Sequence, residues 1–244
     1  MNDYSKALDN SGWSAHYNIE ILNNVVTAVE KGNVSVWSEE LIHICEQKSK
    51  VLEIGCGTGI SSLWLAKNDR EVTALDYTES SVELVKAAAN KLDLKKVQVI
   101  HSDATKELPF KAKQFDYIFQ AGLLEHFETE EQIRLLRSWA KYGKRMISMI
   151  PNASSIPYRV GKQLMEENGT WGYGLEIPKH SFKEEYARAG IKVEKEYTIG
   201  TEWAQKFLPE RHYIKRFFRK LVKDGYNLDE FMQGYLLVTI GVCE

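Results

Sequence analysis

The chain has 244 residues, with 32 Lys and Arg against 34 Asp and Glu, a net charge of −2. Apolar residues make up 43% and charged residues 27%, which suits one α/β domain with insertions. These values exclude a global basic field for nonspecific nucleic-acid binding, so DNA is not expected as a partner and RNA is disfavoured. No apolar run reaches the length of a bilayer span. Cys45, Cys56 and Cys243 are odd in number and widely spaced. They match neither a disulfide framework nor a zinc pattern, so a reduced, cytoplasmic setting and no metal are expected. The opening Met1-Asn2-Asp3-Tyr4-Ser5-Lys6 lacks the charged-then-apolar layout of a secretory signal.

Residues 1–17 mix Tyr4, Trp13, His16 and Tyr17 with polar residues and read as an irregular arm. Apolar residues at helical spacing predict helices over 18–31 and 36–47. Val51, Leu52 and Ile54 form a short apolar run that predicts a buried parallel strand. Three glycines at alternate positions follow, then helical spacing over 60–67. Strand, tight turn and helix recur from there. Strands are predicted at 71–76, 97–100, 115–119 and 145–150, the last stopped by Pro151. Helices are predicted after Thr78, a candidate cap, and over 129–142. This alternation implies a mainly parallel sheet covered on both faces.

The rhythm then breaks. Residues 151–178 are rich in Gly, Asn and aromatics and read as a long insertion. A short helix over 180–190, a strand over 191–199, a mostly helical insertion over 200–233 and a final strand over 235–242 complete the chain.

The turn itself reads Glu53-Ile54-Gly55-Cys56-Gly57-Thr58-Gly59. A G-x-G-x-x-G fingerprint would need glycine at 60 or 62, which are Ile60 and Ser62, so a dinucleotide-binding oxidoreductase is disfavoured. E-x-G-x-G-x-G resembles the first motif of the class I S-adenosylmethionine-dependent methyltransferases. The resemblance covers residues 50–150. It implies a Rossmann-like, doubly wound α/β fold with a seven-stranded sheet, mostly parallel with an antiparallel last strand, plus helical lid insertions. It also implies S-adenosylmethionine as cofactor.

Four features stand at strand ends, where ligands bind in open parallel sheets. The first is the turn, with Glu53, Gly55, Cys56, Gly57 and Gly59. The second is Asp76, followed by Tyr77. A carboxylate there can accept from both hydroxyls of a ribose. The third is Asp103-Ala104, which the resemblance assigns to the adenine. The fourth is Gln120-Ala121-Gly122-Leu123-Leu124-Glu125-His126-Phe127, similar to the segment that borders the methyl group in many small-molecule methyltransferases. Tyr17 could close over the cofactor. A base is needed only if the acceptor must lose a proton. His126 is the first candidate, with Glu125 second and His16, Tyr17 and His180 behind them.

No Asn/Asp-Pro-Pro-aromatic run and no Pro-Cys pair follows the fourth strand, which disfavours adenine, glutamine and cytosine-carbon methylases of those types. The acceptor must therefore be read from the insertions. Thr170–Pro178 holds Trp171 and Tyr173 beside Gly172 and Gly174 and reads as a lid, with His180 just beyond. It looks like a segment of bacterial and archaeal methyltransferases, some linked to glycan or lipid synthesis. Residues 203–223 interleave Lys206, Arg211, Lys215, Arg216, Arg219, Lys220 and Lys223 with Trp203, Phe207, Tyr213, Phe217 and Phe218. A basic amphipathic helix there could pack by its aromatics or meet a membrane surface, an anionic substrate or a partner. The expected organisation is one methyltransferase domain over 1–244. It comprises an arm and helices (1–47), a cofactor-binding core (48–150) and acceptor-side insertions (151–178 and 200–233). The expected function is methyl transfer to O, N or C of a small-molecule or glycan- or lipid-precursor acceptor. An RNA methyltransferase and a non-catalytic cofactor-binding subunit are the alternatives.

Overall fold

The computed structural model describes residues 19–230 and 232–244, without the side chains of residues 19 and 229. The arm that holds His16 and Tyr17 lies outside the described residues. Two helices come first, α1 (Ile19–Lys31) and α2 (Val36–Ile44). Then β1 (Lys50–Ile54), α3 (Ile60–Lys67), β2 (Glu71–Asp76), α4 (Glu79–Lys91) and β3 (Val97–His101) alternate. They are followed by β4 (Phe115–Ala121), α5 (Thr129–Ala140) and β5 (Gly143–Pro151). The later elements are α6 (Ile156–Glu167), α7 (Lys183–Arg188), β6 (Ile191–Ile199), α8 (Thr201–Ala204), α9 (Tyr213–Lys223) and β7 (Leu236–Cys243).

The seven strands form one sheet in the order β3-β2-β1-β4-β5-β7-β6. Strand β7 is antiparallel to both neighbours, and the pairs among β1 to β5 are parallel. The expected seven-stranded, mostly parallel sheet with an antiparallel last strand is therefore present. Strand β1 is an interior strand beside the central β4, with Glu53 opposite Ala74 on one side and Phe119 on the other. Chain order reverses between β1 and β4, which opens a crevice beyond their carboxyl ends.

The alternation of side chains along each strand feeds both faces. Leu52, Ile54, Ile118 and Met146 pack with Trp139, Phe182 and Tyr186 on one face. Val51, Tyr117, Phe119 and Ile147 pack with Leu41 on the other. A further cluster joins Val29, Leu63, Val85 and Ala88 of α1, α3 and α4. Each such side chain contributes about 1.5–3 kcal/mol by leaving water.

The 151–178 insertion contains the helix α6, and a Cβ at its Gly161 would lie 2.5 Å from both Cβ and the carbonyl oxygen of Phe207. The glycine lets the helix press against the 3-10 turn Gln205–Phe207. The basic segment is not one helix over 203–223. It divides at Leu208-Pro209 into α8 with its 3-10 turn and then α9, because proline cannot continue a helix. Thr78 stands at the N-cap of α4 without a side-chain cap bond; its N–H donates instead to Asp76 Oδ1 at 2.8 Å.

Candidate active site

The glycine turn is built by backbone demands. Gly55, Gly57 and Gly59 all have positive φ, at 72°, 53° and 69°, which glycine adopts without strain. The N–H groups of Gly55 and Cys56 both donate to the Leu75 carbonyl, at 2.8 and 3.0 Å, so the turn is tied to the end of β2. A Cβ at Gly55 would lie 2.9 Å from Leu123 Cδ2, and one at Gly59 would lie 2.5 Å from Val85 Cγ2. Cys56 is buried, with Sγ 3.9 Å from Ser81 Oγ. Below the turn Glu53 is buried. Its Oε2 accepts from the Ser62 N–H at 3.2 Å and the Ser62 hydroxyl at 2.5 Å, joining the first turn of α3 to β1. Burial pushes the Glu53 carboxyl up to about 8 against these two bonds, and the Asp76 charge adds to the rise.

Asp76 closes the turn from the other side. Its Oδ2 accepts from the Gly57 N–H at 2.8 Å while Oδ1 holds Thr78. Each oxygen keeps a lone pair for a ligand hydroxyl. Tyr77 is exposed, and its carbonyl meets Nε2 of His101 at 2.7 Å. Asp103 accepts through Oδ1 from the N–H and hydroxyl of Thr105, at 2.9 and 2.6 Å, and pairs with Lys106 at 3.3 Å. Burial pushes the Asp103 carboxyl up, but the Thr105 and Lys106 bonds outweigh it and hold the carboxyl below its ordinary value. The Ala104 carbonyl accepts from the Trp139 indole N–H at 2.8 Å.

These groups face one cavity of about 340 Å³, within the range of small-ligand sites. Glu53, Gly55, Cys56, Gly57, Asp76, Tyr77, Asp103, Ala104 and His126 all line it. Gly59 stands just behind, as the N-cap of α3.

The segment after β4 departs from expectation in part. Gln120 is buried and lies off the cavity wall. Its Oε1 accepts from the N–H groups of Leu123 and Leu124, at 3.0 and 3.1 Å, which shapes the loop. Glu125 is also buried behind the wall, and its Oε2 has no hydrogen-bond partner among the described residues. Burial pushes this carboxyl well above its ordinary value, and the Glu176 charge adds to the rise. Nδ1 of His126 lies 2.5 Å from the Leu175 carbonyl. A carbonyl only accepts, so Nδ1 carries the proton. Burial lowers the His126 pKa, against the pull of the Leu175 and Gly122 carbonyls.

The 170–178 loop is thus fastened to the cavity rim at two points, since Ile177 N–H also donates to the Glu125 carbonyl at 2.8 Å. Within it the Tyr158 hydroxyl donates to Glu176. Trp171, Tyr173 and His180 do not line the cavity. Trp171 lies under the Lys162 ammonium at 4.2 Å and against the Tyr173 ring. His180 binds the Ser154 hydroxyl at 2.8 Å. The structure therefore groups these three with the loop's own scaffold.

The cavity wall also contains residues that the sequence did not single out. Ser35, Trp37, Thr58 and Ser61 all line it. Ser38 bridges Ser35 and Ser61 through hydroxyl contacts of 2.8 Å each, which ties α2 to α3 over the turn. Trp37 meets Trp203 edge-on at 5.1 Å. Trp203 stacks on Tyr235 at 4.9 Å, and Tyr235 meets Tyr158 at 5.1 Å. One aromatic cluster thereby links the cavity roof to both insertions. Scattered aromatics with no common period gave no sign of it in the sequence.

Residues 51–145 match a family described as a methyltransferase domain. The chain is 32% identical over 104 residues to a demethylmenaquinone methyltransferase of Bacillus mycoides, a match covering 41% of this chain and 42% of that protein. A Bacillus cereus protein of the same name is 31% identical over the same length. The chain therefore spans about two-fifths of the length of the relatives it matches in sequence. Among solved structures it is similar to geranyl diphosphate C-methyltransferase from Streptomyces coelicolor, in complex with Mg2+, geranyl diphosphate and S-adenosyl-L-homocysteine. That similarity has a TM-score of 0.59 at 11% identity, over 85% of this chain and 78% of that one. It is also similar to magnesium protoporphyrin IX methyltransferase from Synechocystis with bound S-adenosyl-L-homocysteine. There the TM-score is 0.58 at 15% identity, over 91% and 86% of the two chains. At these identities the structures speak for the fold, and the family match speaks for residues 51–145. Residues 51–145 thus match a methyltransferase domain, and the sheet that carries them has the fold of these solved methyltransferases.

Proposed function

We propose that this chain transfers a methyl group from S-adenosylmethionine to a small-molecule acceptor. The observation that carries the reading is the meeting of the glycine turn, Asp76 and Asp103 on one cavity. The cavity fits the cofactor on its own terms. The glycines keep the turn free of Cβ atoms where the backbone must approach a ligand, and Asp76 keeps acceptor capacity for a vicinal diol. In this reading Asp76 holds the ribose, Asp103 and Ala104 face the adenine, and the turn with Glu53 faces the methionine end. Bound there, the cofactor supplies a sulfonium-activated methyl group, so alignment and exclusion of water can provide most of the rate.

His126 is the cavity residue nearest to an acceptor-side role. The two carbonyls that face its ring both accept, which supports a donor that latches the 170–178 loop to the rim rather than a base. Glu125, buried behind Gly122 with an ideal Cβ there 3.6 Å from Oε1, supports the rim from within. The relatives named above act on demethylmenaquinone, geranyl diphosphate or magnesium protoporphyrin IX. They support a small organic acceptor, with lipid precursors among the first to try.

The test is a turnover assay with methyl-labelled S-adenosylmethionine and a small-molecule fraction of a bacterial extract. Label should pass to an acceptor, and S-adenosylhomocysteine should accumulate with the native chain. Cofactor binding without turnover across such fractions would contradict the catalytic reading.

A further inference from the structure

Helix α9 stands out against the rest of the molecule. From Glu210 to Tyr226 there are six Lys and Arg and two carboxylates, a net charge of +4 in a chain of net −2. The helix sorts this stretch into two faces. Lys215 and Phe218 are buried on the inner one. The Lys215 ammonium donates to the Leu208 carbonyl at 3.1 Å and to Glu210 at 2.6 Å. Glu210 also takes Arg219 at 2.6 Å. These bonds fix the rotation of the helix about its axis.

The outer face carries Tyr213 and Phe217, one turn apart and 73% and 56% exposed. Arg216, Lys220 and Lys223 are exposed beside them at helical spacing. Among the described residues, only Lys220 of these three is drawn into an ion pair, with Asp224 at 2.5 Å. Just upstream, Trp203 and Phe207 are gathered into the aromatic cluster at 5.4 Å. The chain thus keeps two of its aromatics packed and holds two others out in water among cations.

We propose that this face of α9 docks on an anionic lipid surface. Aromatic rings on the outer face can enter the headgroup boundary, while flanking Lys and Arg reach the lipid phosphates with their charged tips. The positive segment complements an anionic leaflet although the whole chain is slightly acidic. The outward face of a single helix is convex and meets a plane along its length. Single-stranded nucleic acid is held instead in a basic groove lined by stacking platforms. No helix among the described residues is long and apolar enough to cross a membrane, so the contact is peripheral. It does not depend on the reaction proposed above.

Cosedimentation of the full chain with vesicles tests it, using phosphatidylcholine alone and phosphatidylcholine mixed with phosphatidylglycerol. The native chain should bind the mixed vesicles, and binding should fall as salt shortens the screening length. Arg216→Ala, Lys220→Ala and Lys223→Ala combined should weaken binding on the order of a hundredfold, at about fivefold per cation removed. Tyr213→Ser with Phe217→Ser should weaken it with all cations kept. Thermal melts show whether each variant folds as the native chain does. Equal binding to both vesicle types, binding to neither, or an unchanged affinity in the folded cation variant would overturn the proposal. So would a salt-sensitive shift of an RNA oligonucleotide that the same cations control, or self-association lost on removing Phe217.

Discussion

At the scale of single residues, Glu53 gives the site a pH signature. Its carboxyl is raised to about 8 in the folded chain, above an unfolded value of about 4.3. Between these values the folded chain holds a proton that the unfolded chain has released. Glu53 therefore favours the fold fully below the unfolded value, and that contribution is lost as pH rises through about 8, by up to about 1.4 kcal/mol per pH unit. Glu125 acts with the same sign. Urea unfolding across this range should show stability falling with pH, and Glu53→Gln should flatten the fall while its amide oxygen still accepts from Ser62. His126 offers a second residue-scale prediction. If it latches the loop, His126→Asn, which keeps an N–H for the Leu175 carbonyl, should retain most of the activity and the native pH–rate profile. His126→Ala should lose more, chiefly through acceptor KM. A base would instead lose about 10²- to 10⁴-fold in kcat in both variants, together with the acidic limb of the profile.

At the scale of elements, the strand–turn–helix unit is the most constrained. Gly59→Ala would place a Cβ at φ +69° and 2.5 Å from Val85 Cγ2. The left-handed backbone costs about 1–2 kcal/mol and the overpacking about 1–3. Chemical denaturation should show a loss of that combined size, and adding Val85→Ala should recover part of it despite the cavity it leaves. Most of this unit was legible in the sequence, because apolar runs of strand length alternate with helical spacing and the glycines punctuate them. Asp76 and Asp103 were legible for the same reason, standing where predicted strands end. The loop after β4 was legible only in position. Nothing in Gln120 or Glu125 reveals that one side chain bonds its own loop's N–H groups and the other turns inward. Gly161 of α6 serves close packing against Phe207, which a local pattern cannot display. Ser35, Trp37 and Ser61 reach the cavity from elements distant in sequence, through contacts that only the folded chain creates.

At the scale of the whole molecule, one aromatic cluster carries the insertions. Trp203 touches Trp37, Phe207 and Tyr235, which come from the region before β1, the second insertion and the start of β7. Trp203→Ala should destabilise the chain by about 3 kcal/mol, toward the lower end for large aromatic truncations because the ring is only half-buried. Differential scanning calorimetry reads that loss directly. The division of labour is then simple. In the proposed function the sheet and glycine turn hold the donor, and the insertions, clamped through this cluster and through Leu175 and Ile177, shape what can receive the methyl group. The most direct test of that account is calorimetric titration of S-adenosylmethionine into the native chain and into Asp76→Ala. The account predicts saturable one-site binding by the native chain, weakened about 10- to 100-fold in the variant by loss of charged hydrogen bonds. Absence of binding by the native chain, or equal affinity in the two, would contradict it.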